Sequence, residues 1–85
     1  MEHMHVDLTE HHARPGFRPL YLPTDHPGLR NACDYARQQV KASDPADMLK
    51  AEVMDGSLRH YNTGKRIRFR CWIDTNGTFH EQFLG

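Results

Sequence analysis

The chain has 85 residues, 38% apolar and 26% charged, and its eleven Lys and Arg balance eleven Asp and Glu to a formal net charge of zero. That length holds one domain with a modest core, and a neutral balance argues against a strongly basic nucleic-acid binder. No apolar run approaches a membrane span and no signal peptide opens the chain, so a cytoplasmic protein without a membrane partner is expected.

The charge is unevenly spread. Residues 57–73 hold Arg59, Lys65, Arg66, Arg68 and Arg70 and no acid, so this segment carries +5 and the remainder −5. Such asymmetry can create a local field that composition hides.

Residues 1–15, MEHMHVDLTEHHARP, read as a flexible His-rich arm ahead of a single α+β domain over residues 16–85. His3-Met4 is what a cloning site often leaves, and the first three residues are set aside on that ground. His3, His5, His11 and His12 raise a metal site, but no Cys or fixed ligand frame accompanies them. They read as solvated, and no metal or cofactor is expected.

Residues 17–22, FRPLYL, form a short apolar run broken by Pro19 and closed by Pro23. Proline cannot donate to a ladder, so this is an extended strap over one margin of the core. The TDHP at 24–27 then reads as a helix opening, with capping residues ahead of a proline in the first turn. Leu29, Ala32, Cys33, Ala36 and Val40 follow at i, i+3, i+4, i+7 and i+11, one apolar stripe that ends near Ser43 ahead of Pro45. Arg30, Asp34, Arg37, Gln38 and Lys41 face water.

Residues 44–56 carry two signals. DPAD opens a helix and Gly56 would cap it, whereas Leu49, Ala51 and Val53 alternate with Lys50 and Glu52 as in a strand. The caps favour a second helix, and either version packs helix on sheet. Residues 57–62, SLRHYN, read as a short strand.

Residues 65–84, KRIRFRCWIDTNGTFHEQFL, read as a hairpin. Ile67, Phe69, Cys71 and Ile73 point one way; Arg66, Arg68, Arg70 and Trp72 point the other. A two-residue loop at Asn76-Gly77 would set Ile73 opposite His80 and mix the two faces. A three-residue loop, 75–77 with Gly77 left-handed, pairs Ile73 with Phe79 and Phe69 with Phe83, and is preferred for that reason. Its one flaw is Glu81, which falls on the apolar side opposite Cys71. With 57–62 the hairpin completes an antiparallel meander. The fold class expected is therefore α+β: one or two amphipathic helices packed on a small antiparallel sheet.

Both cysteines, Cys33 and Cys71, fall on apolar faces and read as buried free thiols. There is no nucleophile elbow, phosphate-cradling loop, HExxH or carboxylate pair on a defined scaffold, so no enzymatic activity is expected. His60 and His80 are the candidates were there one, with Glu81 and Tyr61 nearby. What remains is a face carrying Arg59, Arg66, Arg68, Arg70, Trp72, His80 and Gln82. Tryptophan and arginine dominate interface hot spots, which favours a protein partner. Alternating arginines beside an aromatic also suit phosphate contacts and base stacking, and nucleic acid is the alternative. The bland possibility is that residues 1–25 lie over this face and make Trp72 a core residue.

Overall fold

The structure, a computed structural model, describes residues 3–9, 24–55 and 67–84. In chain order these form β1 (His3–Thr9), β2 (Thr24–Pro27), α1 (Leu29–Ala42), a single 3-10 turn (Pro45–Asp47), β3 (Lys50–Asp55), β4 (Ile67–Ile73) and β5 (Phe79–Phe83). The five strands make one sheet in the order β2-β1-β3-β4-β5, every neighbouring pair antiparallel. Helix α1 packs on one face, so the chain is an α+β fold whose last three strands run as a meander. None of the described helices is long and apolar enough to cross a membrane.

Strand periodicity decides what enters the core. Met4, Val6 and Leu8 of β1, Ala51 and Val53 of β3, and Phe69, Cys71 and Ile73 of β4 all turn towards α1. The helix answers with Ala32, Cys33, Ala36 and Val40, the stripe expected from its spacing. Its small residues let the helix backbone lie close to the sheet, and Leu29, Tyr35 and Phe79 fill the margin.

The hairpin has the predicted register. Phe69 faces Phe83, Cys71 faces Glu81 and Ile73 faces Phe79. The loop spans 75–77 between the Asp74 and Thr78 pair (Asp74 N–H to Thr78 O, 3.0 Å), and Gly77 has φ +81°. A side chain there would be strained by the backbone alone, since only Pro45 Cβ lies near, at 4.0 Å.

Three expectations are corrected. Residues 3–9 are not an irregular arm: β1 sits between β2 and β3, and Met4, Val6 and Leu8 are 3% exposed or less. Residues 24–27 do not open the helix but pair with β1, from His3 opposite Pro27 to Val6 opposite Thr24. Gly28, at φ 79° and ψ 148°, makes the break between strand and helix in a region that side chains avoid. Of the stretch 44–56 read as a second helix, the described residues 44–55 hold no second α-helix. Asp44 caps Ala46 N–H (3.0 Å), but Met48 turns left-handed (φ 47°) after one turn, and the alternation beyond it becomes the sheet's central strand. The strap at 17–22 and the strand at 57–62 lie outside the described residues.

The helix surface is also less uniformly solvated than its charges imply. Arg37 lies across the rings of Phe69 and Phe83, 4.9 and 5.9 Å from their centroids, and grips Glu81 through Nε–Oε1 (3.2 Å) and Nη2–Oε2 (3.1 Å). That bidentate pair explains how Glu81 stands on the apolar side of its strand. It also raises the pKa of the guanidinium above its ordinary value.

Two outcomes are expected. Phe69 is fully buried, so Phe69→Ala should cost about 3–5 kcal/mol in chemical unfolding; a loss below about 1 kcal/mol would mean the faces of β4 are reversed. Burial, reinforced by the Glu81 carboxylate, pushes the Cys71 thiol up to about 12, and burial also raises Cys33. Both thiols ionise more easily unfolded than folded, so stability holds below their ordinary value of 9.0 and declines above it, through about 12 for Cys71. A denaturation midpoint followed from pH 8 to 11 should fall, less steeply in Cys71→Ala; equal slopes would remove Cys71 from the core.

Candidate functional site

The face of the sheet away from α1 divides into two halves. Over β1 and the Met54 end of β3 it is buried: His5 is 1% exposed, Asp7 4% and Met54 1%. His5 there lies between two carboxylates, Nε2 2.6 Å from Asp7 and Nδ1 3.5 Å from Asp25. Over β4 and β5 the face is open, with Arg68, Arg70, Trp72 and His80 half-buried and Gln82 exposed. Residues proposed from sequence as one surface are therefore brought together here. Arg59, Arg66 and His60 lie outside the described residues.

Cross-strand register assembles this half. Lys50 on β3, Trp72 on β4 and His80 on β5 lie in one row; Asp7, Glu52, Arg70 and Gln82 lie in the next. Trp72 and His80 stack nearly parallel, ring centroids 5.3 Å apart and planes at 17°. The imidazole is held from the other side by Asp74, with Nε2 2.7 Å from Oδ2. Oδ1 of the same carboxylate accepts the N–H groups of Asn76 (2.8 Å) and Thr78 (3.0 Å). Asp74 thus joins the turn to the aromatic pair. These hydrogen bonds, His80 first, hold its carboxyl below the ordinary carboxylate value.

The arginines are matched by acids from neighbouring strands. Arg68 Nη1 reaches Asp55 Oδ1 at 3.0 Å, where the β3–β4 register shifts between Val53 and Met54. Arg70 Nη2 stands 3.7 Å from Glu52 Oε2, directly across the ladder, while its Nε is buried without a hydrogen-bond partner. Of the arginines expected on this face, the two that are described, Arg68 and Arg70, each have a carboxylate beside them.

A concavity of about 420 Å³ opens beside this row, lined by Met48, Lys50, Arg70, Trp72, Ile73, Asp74 and Thr75. Its walls combine an indole, two apolar side chains, a hydroxyl, two cations and the Asp74 carboxylate. No protein-family model, curated protein or solved structure matches this chain. The site must therefore be judged on its own chemistry.

Among the described residues no three His, Cys, Asp or Glu side chains converge as metal ligands. His80, one of two histidines considered for acid–base work, spends its Nε2 on Asp74 and its ring on Trp72. The sequence reading missed Met48, Lys50 and Asp74. The first two were hidden by reading 44–56 as helix. Asp74 was legible: an Asp two residues ahead of Asn-Gly is placed to accept the N–H groups of the turn it opens.

Replacing Asp74 by Asn should separate these roles. The turn contribution of the charged carboxylate is present above the ordinary carboxylate range and is lost as pH falls through its depressed folded value. Wild type and Asp74→Asn should therefore differ in stability and in Trp72 fluorescence at neutral pH and converge in strong acid. A constant difference at every pH would mean that the charge on Asp74 is not what orders the pair.

Proposed function

We propose that this protein is a non-enzymatic binding module that engages a protein partner through the β4–β5 half of its outer sheet face, with Trp72 as anchor. The observation carrying this is the combination of cross-strand neutralised arginines with a half-buried indole at a concavity of about 420 Å³. A polyphosphate binder needs cations with few competing acids, because affinity grows with the phosphates neutralised. Here Asp55 and Glu52 already stand at Arg68 and Arg70. A protein interface instead rewards a large aromatic in a concave, partly desolvated setting ringed by polar groups. Lys50 beside Trp72 suits a partner segment that places an apolar side chain on the indole and a carboxylate next to it.

Two variants test the reading. Trp72→Ala should weaken partner binding by at least about thirty-fold, the scale of a hot-spot residue. Arg68→Ser with Arg70→Ser should act mainly on the association rate. Because the Arg68–Asp55 and Arg70–Glu52 contacts are lost, the double change should also cost up to about 1 kcal/mol of stability, the range of partly exposed pairs. A salt titration against generic single- and double-stranded nucleic acid decides the alternative. Tight binding whose logarithm falls linearly with log salt, and flattens on losing the arginines, would replace the protein partner with nucleic acid. Unfolding of Trp72→Ala without a separable binding defect would make the tryptophan a core residue.

A further inference from the structure

The two edges of the sheet are built differently. β2 is four residues long and ends in Pro27, a blunt edge that resists further pairing. β5 carries neither proline nor lysine, and its last residues are open, with Phe83 61% and Leu84 38% exposed. Ladder hydrogen bonds fix which of its backbone groups are spent. Asp74 N–H donates to Thr78 O (3.0 Å) and Leu84 N–H to Arg68 O (2.9 Å), so by antiparallel alternation residues 78, 80, 82 and 84 bond to β4. The N–H and C=O groups of Phe79, Glu81 and Phe83 point away from the sheet, along its edge.

We propose that this edge pairs with β5 of a second copy of the chain, antiparallel about a two-fold axis at Glu81. The strand is self-complementary in that register. Phe79 of one copy falls opposite Phe83 of the other at both ends, and His80 opposite Gln82. All three outward-bonding residues pair with outward-bonding residues, as an antiparallel ladder requires. The objection is that Glu81 meets its own copy at the axis, and like charges directly opposed destabilise a pair of strands. Arg37 answers it: each Glu81 already carries a bidentate guanidinium on the helix side, so the axis holds two cations and two anions. The pairing leaves the outer face open and sets two Trp72 sites on one continuous ten-stranded sheet.

Sedimentation over a concentration series should show a mass rising from one 9.9 kDa chain towards two. Amide hydrogen exchange supplies the specific readout. Protection of Phe79, Glu81 and Phe83 should rise with concentration, whereas His80 and Gln82 stay protected throughout. Phe83→Lys, which charges the edge, should raise the dimer dissociation constant at least ten-fold, and Trp72→Ala should leave it unchanged. Glu81→Gln, which keeps the backbone groups and removes the opposed charges, should still dimerise and shows whether a defect in Phe83→Lys is specific. A monomer at millimolar concentration with rapid exchange at 79, 81 and 83 overturns the proposal. So does protection independent of concentration, or a dimer whose protected amides lie elsewhere.

Discussion

The phase of β4 governs this molecule. Six successive residues alternate between a helix-facing set (Phe69, Cys71, Ile73) and an outer set (Arg68, Arg70, Trp72), and a slip by one would exchange them. Two devices hold the phase. The β3 ladder sets Ala51 on Cys71 and Val53 on Phe69, so a slip would drive charge against α1. The turn does the rest: Asp74 accepts two amides and Gly77 supplies the left-handed residue, which together fix a three-residue loop. The same carboxylate orients His80 against Trp72, so the element that sets the register also shapes the candidate site.

What was legible in the sequence was local. The helix stripe and the hairpin register depend on contacts within one element or across one turn, and side-chain type alone decides between their alternatives. β3 was ambiguous because DPAD does start a helical turn; the caps are real but the helix they open lasts three residues. Local propensity there yields to the sheet, which buries Ala51 and Val53 on both flanks. β1 was discounted for its histidines, although Met4, Val6 and Leu8 alternate as cleanly as β4. His5 and Asp7 occupy its opposite face and are buried with each other, an arrangement composition cannot foretell. β2 was missed as a consequence, since TDHP reads as a strand only once β1 exists to pair with it.

The charge along the chain reads differently where Arg68 and Arg70 are placed in the sheet. A segment of +5 looks basic when acids are counted along the chain, but strands are neutralised by what lies beside them. Glu52 and Asp55 come from a strand separated from β4 in sequence and adjacent in space. Cross-strand pairs of opposite charge stabilise a sheet modestly, by about 0.2–1 kcal/mol, and at Arg68 and Arg70 they also weaken the field that would draw a polyanion. Lys50, next to Trp72 in the ladder, is then the more available cation, and it lies in the segment whose element type the sequence obscured.

Glu81 shows how a local flaw becomes a structural link. A carboxylate on the apolar side of an edge strand is unfavourable unless a cation reaches it, and among the described residues that cation comes from α1. Arg37 makes the reach across Phe69 and Phe83, burying its stem on the rings while its fork meets both carboxylate oxygens. Helix and edge strand are thereby tied at one point beyond the ladder. In the proposed pairing of two β5 edges, the same ion pair is what balances the two opposed Glu81 carboxylates at the axis, since each brings its own guanidinium from the helix side.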